Sequence, residues 1–279
     1  VSNNETLLTQ KKWRYIDQTT LGEAFGALRS FAIDDTLCAQ VGSKKSDPCI
    51  RSWVHHKTVV LGIADTRLPY LQEGINFLEG HGYNVIVRNS GGLAVVLDEG
   101  VLNISLVVPD TEQGIDIDRG YDAMFQLIKE SLKQYNLTIE AREIMGSYCP
   151  GSYDLSVGGK KFAGISQRRL RNGVAVQIYL CITGSGSERA KLIQQFYTLA
   201  TKGEKTKTVF PKVEPSTMAS LSEIIGNEKH VHEMILFLLQ AMQFHTEEIV
   251  QNQLSTDELE LYYENYDRVV KRNEKALEK

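Results

Sequence analysis

No apolar run in this 279-residue chain approaches the ~20 residues that would cross a bilayer, so the sequence predicts no membrane span. Cysteine is sparse. Cys38, Cys49, Cys149 and Cys181 form no CxxC pair and keep no metal-like spacing with the six histidines. That excludes a zinc ribbon or a disulfide frame, predicts no metal, and points to a reducing, cytoplasmic compartment. The opening stretch VSNNETLLTQKKWRY has no apolar core of the secretory kind. A net charge of −4 gives no global basic signature for nucleic acid. Neither GxGxxG nor GxxxxGK occurs, so the dinucleotide fingerprint and the phosphate-binding loop are both missing. There is no internal repeat and no low-complexity segment. What is present, 42% hydrophobic and 24% charged residues, suits one large α/β domain or two modest ones.

In chain order, Trp13–Ile16 reads as a strand. Thr19 or Thr20 then caps a helix carrying Leu21, Phe25, Leu28, Phe31, Ala32 and Leu37 near one face, with Glu23 at capping-box distance from Thr20. Val41–Pro48 is a polar linker. Ile50–Val54 and Thr58–Ile63 are strands, and His55 and His56 between them point to opposite faces, which argues against shared metal ligation. Helices follow at Leu71–Leu78 and Ile115–Tyr135, and later at about Glu188–Ala200, Met218–Ile225 and Val231–Phe244. A last helix from Thr256 ends in a charged tail, Lys271–Lys279, expected to be solvated or frayed.

Two stretches carry chemistry. From Tyr148 to Arg171 the chain reads YCPGSYDLSVGGKKFAGISQRRLR. Cys149 lies in a Pro-Gly turn, and Gly158-Gly159 joins two strands into a hairpin. The hairpin brings Lys161 back toward Cys149, twelve residues earlier. If the ammonium reaches the thiol, it favours a nucleophilic thiolate; otherwise Cys149 is a small buried hydrophobe. Lys160 points to the opposite face of the strand. Arg168, Arg169 and Arg171, with Lys160, form a basic cluster that is either a docking surface or a charge-protected strand edge. The second stretch is Val85–Val108, in which strands flank Arg88-Asn89-Ser90-Gly91-Gly92 and Asp98-Glu99-Gly100. Gly91 and Gly92 let the backbone approach a ligand and aim amides at a carbonyl or anion.

Taken together, Arg88-Asn89-Ser90-Gly91-Gly92, Ala94-Val95, Asp98-Glu99-Gly100 and Leu102-Asn103-Ile104-Ser105 resemble the R-x-S-G-G-x-A-V…D-x-G-x-L-N-x-S pattern of the lipoate/biotin protein ligase superfamily. Lys161-Phe162-Ala163-Gly164 is similar to that superfamily's K-x-x-G strand. The resemblance spans roughly Lys44–Lys229, and both stretches read like the Gram-positive octanoyltransferases that draw on the glycine-cleavage H protein. Leu93 and Leu97 stand where the ligases have a third glycine and a histidine.

The resemblance implies an α/β (α+β) fold of mixed sheets flanked by helices. Its segments would be an N-terminal strand and helix (1–43), a catalytic domain (44–229) and C-terminal helices (230–279). It implies an acyltransferase without a cofactor. Cys149 would take an octanoyl or lipoyl group from the lysine of the H protein as a thioester. A lysine of a lipoyl domain of a 2-oxoacid dehydrogenase complex would then receive it. Lys161 would lower the thiol pKa and polarise the acyl carbonyl. Ser90, Gly91, Gly92 and Gly164 would bind the substrate, and Arg88 would bind it or form a structural ion pair. Any of Val85, Val87, Val95 and Ile165 could line the acyl tunnel. An ATP-dependent lipoate or octanoate ligase and a non-catalytic binding protein of the same fold are the competing readings. Cys181, in an apolar strand, is the weaker nucleophile candidate.

Overall fold

Alternating apolar and polar residues along the strands give a large sheet two chemically different faces, and the difference locates the site. The computed structural model describes residues 6–110 and 114–278; the first five residues of the polar opening stretch and Lys279 of the tail lie outside the described residues. Across the sheet the strands are β11 (Thr246–Gln251), β1 (Gln10–Gln18), β2 (Cys49–Val54), β6 (Val101–Pro109), β10 (Gly173–Cys181), β9 (Lys160–Leu170), β8 (Asp154–Val157) and β7 (Glu140–Ala141). A smaller sheet holds β4 (Asn84–Val87), β3 (Thr58–Leu61) and β5 (Val95–Leu97), in that order. The helices are α1 (Ala27–Gly42), α2 (Leu71–Gly80), α3 (Ile117–Ser131), α4 (Gly186–Thr201), α5 (Leu221–Ile225), α6 (Val231–Met242) and α7 (Thr256–Leu277). The mixed sheets flanked by helices match the expected architecture.

On one face of the large sheet, Ile104, Leu106, Val176, Ile178 and Leu180 join Met124, Leu127 and Ile128 of α3 and Leu238 of α6 in the main core. The other face is mixed under α1: Cys49, Val107 and Ala175 pack against Leu37 and Cys38 of the helix, and polar groups lie beside them. There Asp34 accepts hydrogen bonds from Arg51 (2.9 Å), Ser105 (2.7 Å) and Gln177 (2.5 Å). Further along this face Trp53, Asn103, Tyr179, Gly164 and Asp154 stand side by side on five adjacent strands. The small sheet, backed by α2 and α4, covers this row.

Several expectations change. The first helix starts at Ala27, and its N-cap, Gly26, makes no side-chain bond. Thr19, read as a cap, instead donates from its backbone N and its hydroxyl to Asp17 Oδ1, at 3.0 and 2.7 Å. That local turn holds the chain out of helix. Phe25 stacks on His55 at 5.7 Å. His55 bonds Ser30 while His56 bonds Glu99, and no cluster of three potential metal ligands occurs among the described residues. The tail does not fray at Lys271. α7 runs to Leu277, with Ala276 and Leu277 against the small sheet's cluster. No helix among the described residues is long and apolar enough to cross a membrane.

Candidate active site

Cys149 occupies an unusual backbone position. Its φ is +45°, the left-handed region that L residues avoid unless the surroundings enforce it. Lys161 supplies the enforcement. Its Nζ is wholly buried and donates to the carbonyl oxygens of Tyr148 and Cys149, both at 2.9 Å, and to Ser147 Oγ at 3.3 Å. Asp154 Oδ1 balances the charge at 2.9 Å, and the rings of Tyr148 and Tyr179 flank the ammonium at 5.9 and 5.8 Å. Burial outweighs the attraction of Lys161 and holds the Asp154 carboxyl above the ordinary aspartate value. The hairpin therefore does deliver Lys161 to Cys149, through the expected Gly158-Gly159 turn with both φ positive. It delivers the ammonium to the carbonyl oxygen, and the sulfur belongs to another cation.

That cation is Arg88. Its Nη2 donates to Cys149 Sγ at 3.2 Å, and the backbone N–H of Leu93 donates to the same sulfur at 3.2 Å. Arg88 Nη2 also donates to the Leu93 carbonyl, so the arginine closes its own loop while facing the thiol. Buried supports hold this loop. Gly62 N donates to Asp65 Oδ2 at 2.7 Å, and Tyr197 Oη donates to Asp65 Oδ1 at 2.9 Å. Desolvation pushes the Asp65 carboxyl up to about 6 against these donors. A methyl group on Gly62 would lie 1.8 Å from the Gly92 carbonyl oxygen, so the two backbones cross in contact.

Gly92 shows why the glycine pair is needed. It has φ +106°, and a Cβ there would meet Arg88 Nη2 at 2.7 Å and Cys149 Sγ at 3.0 Å. Gly92→Ala is expected to destabilise the protein by about 1–3 kcal/mol and to slow any reaction at the Cys149 thiol at least roughly tenfold by displacing the arginine from it. Parallel denaturation and rate measurements check this, and wild-type turnover in the variant would remove the loop from the site.

A cavity of about 300 Å³ opens at Cys149. Ser90, Gly91, Gly92 and Gly164 all line it, together with Arg88. Of the four apolar candidates, Val95 and Ile165 are on its wall, whereas Val85 and Val87 are not among the lining residues. The floor is the row Gly164, Tyr179, Asn103 and Trp53, and Val60, Val95 and Leu97 lie on the small sheet. A Cβ at Gly164 would stand 2.7 Å from Tyr179 Cε1, so the glycine keeps the ring and the channel open. From Gly164 to Asn103 the floor crosses two strand spacings, roughly 9–10 Å, the reach of an extended eight-carbon chain. Sequence reasoning missed Tyr148, Asp154 and Tyr179, whose roles depend on where Lys161 ends.

The remaining candidates separate. Cys38, Cys49 and Cys181 are buried and Cys149 is half-buried. Desolvation raises the thiols of Cys38 and Cys181 and pushes that of Cys49 up to about 12. The basic cluster does not converge. Lys160 opens β9 and Arg171 follows its far end, eleven residue steps or roughly 36 Å apart along a straight strand. Arg168 Nε donates to the buried Asp35 Oδ1 at 2.7 Å, so Arg168 belongs to an internal ion pair. Arg169 lies 3.8 Å from Asp110, leaving it and Arg171 exposed.

Comparison with known proteins supplies the family. An octanoyl-[GcvH]:protein N-octanoyltransferase from Geobacillus kaustophilus is 56% identical over 271 residues, 97% of this chain and 96% of that protein. A lipoyl-[GcvH]:protein N-lipoyltransferase from Listeria monocytogenes is 52% identical over 272 residues, 98% of each. The crystal structure of a lipoate-protein ligase A bound with ATP has the same fold, with a TM-score of 0.72 and 16% identity over 96% of this chain and 98% of that one. The family model of the lipoyl protein ligase A/B catalytic domain matches residues 27–243, and the chain belongs to that family.

Proposed function

We propose that the protein transfers an octanoyl or lipoyl group from the lysine of a glycine-cleavage H protein to lysines of the lipoyl domains of 2-oxoacid dehydrogenase complexes, through a thioester on Cys149. One observation carries the reading. The half-buried thiol sits at the mouth of an acyl-sized channel, with a guanidinium and a backbone amide both 3.2 Å from its sulfur. A cation and an N–H donor there lie near the oxyanion that develops when the sulfur attacks an acyl carbon. Relatives at 52–56% identity bear transferase names.

In the first step Cys149 Sγ bonds to the amide carbon of the acyl-lysine. The carbon–nitrogen bond breaks, and the thiol proton leaves with the lysine amine. In the second, another lysine amine attacks the thioester carbon and the thiol is restored with that amine's proton. One amide replaces another, so ATP is not consumed. Lys161 acts by positioning: it fixes the peptide units on either side of the Cys149 α-carbon, and the sulfur faces Arg88. Arg169, beside Asp110, and Arg171 are exposed arginines of the cluster, so reversing them should slow association with an acidic donor and acceptor at low salt while sparing acylation by a small thioester.

The test is to incubate the protein with octanoylated H protein and an unmodified lipoyl domain, without ATP, and to weigh all three intact. The expected result is an octanoyl adduct on the enzyme and its arrival on the lipoyl domain. Transfer that requires ATP would instead make the protein a ligase.

A further inference from the structure

Arg88 is flanked by two tethers that both lead to α7, an element outside the matched catalytic domain: one directly, the other through Asp35 of α1. Val87, just before it, ends β4, an edge strand of the small sheet. The Val87 backbone N–H donates to Asn273 Oδ1 of α7 at 2.8 Å. Asn89, just after it, donates from Nδ2 to Asp35 Oδ2 at 3.2 Å. The same Oδ2 accepts from Arg268 Nη2 of α7 at 2.8 Å, and Arg168 Nη2 adds a further donor at 3.2 Å. The Asp35 side chain is 1% exposed, so its carboxylate oxygens find their partners in these donors and not in water. Tyr262 and Val269 of α7 are buried against α1, which carries Asp35, and Asn265 Nδ2 donates to Thr36 Oγ1 at 2.8 Å. The helix is thus rigidly seated, and the family match ends at residue 243, before it begins.

We infer that α7 is a positioning element of the active site, in which Asn273 and Arg268 set the placement of the Arg88 guanidinium at the Cys149 sulfur. This rests on the reading of Cys149 as the nucleophile. Residues 87 and 89 bracket the arginine, and fixing both restricts the backbone from which its side chain reaches the thiol. Releasing either tether frees the loop without touching any group that contacts substrate.

The test measures the guanidinium at the sulfur directly. Iodoacetate and iodoacetamide alkylate the same thiol, but only the first is an anion, so a cation beside Cys149 raises the ratio of their rate constants. The ratio is read on the intact protein at neutral pH, with the modified residue identified by peptide mass and melting curves run in parallel. Arg88→Met should lower the ratio about tenfold. Asn273→Ala and Arg268→Ala should each lower it roughly threefold. Asn273→Asp, which keeps an oxygen acceptor for Val87 N–H, should restore most of it. If Asn273→Ala fails to fold, Arg268→Ala, changed at a half-exposed side chain, carries the test. Wild-type ratios in the folded α7 variants alongside a lowered ratio in Arg88→Met would reduce α7 to a packing element. An unchanged ratio in Arg88→Met itself would overturn the arginine–thiol pairing and this inference together.

Discussion

Cys149→Ala is expected to abolish transfer, with a rate loss of roughly three orders of magnitude or more, because no other thiol can form the acyl-enzyme. Cys38→Ala, Cys49→Ala and Cys181→Ala should retain the mechanism, since burial keeps each of those thiols protonated and out of the channel. Their changes would fall on stability, each leaving a small void in a packed core. Cys149→Ser should behave like the alanine variant, since the groups that bond this position, the Arg88 guanidinium and the Leu93 N–H, are donors and cannot act as a base toward a hydroxyl. The measurement is transfer between protein substrates together with trapping of the adduct by intact mass. Full activity in Cys149→Ala would end the covalent mechanism outright.

The second large effect is expected at Lys161. Lys161→Met removes a wholly buried cation, leaving Asp154 without its charge partner and two carbonyls without their donor. Breaking a buried ion pair from one side typically destabilises by about 3–5 kcal/mol. Adding Asp154→Asn should recover much of that loss, since an uncharged amide no longer needs the cation. Transfer should stay low in the double variant, because nothing holds the peptide units around Cys149 in the left-handed turn. Denaturation midpoints and acylation rates on the wild type, both singles and the double resolve the two contributions. Recovery of both stability and transfer in the double variant would mean that Lys161 only neutralises Asp154.

How far the sequence carried the reading depends on how local each signal was. The hairpin after Cys149 follows from Gly158-Gly159 and the alternation on either side, which are contained in a few residues. Arg88 to Gly92 was visible as a motif, yet its target, Cys149, lies 61 residues away. No periodicity reports such a contact. Lys161 illustrates a different limit: the turn dictates that it approaches Cys149, but whether the ammonium meets sulfur or oxygen depends on a φ of +45° that sequence does not announce. β11 was missed because TEEIVQ carries only two adjacent apolar residues at a sheet edge, with two glutamates before them and glutamine after. The tail of α7 was read as solvated because its surface is charged, whereas Asn273, Ala276 and Leu277 turn inward among those charges.

The pairing of β1 with β11 joins Gln10 to Thr246 in parallel. During synthesis β1 therefore leaves the ribosome with one edge open, and its partner follows only after every other strand. Such a topology has high contact order, which slows folding and leaves strand edges accessible for longer. α7 comes later still. A nascent chain can assemble the hairpin, the glycine loop and the channel while Val87 and Asp35 still lack their contacts from α7. On this order of events the thiol acquires its fully placed arginine only once the sheet is closed, so an unfinished chain carries a cysteine that is not yet armed.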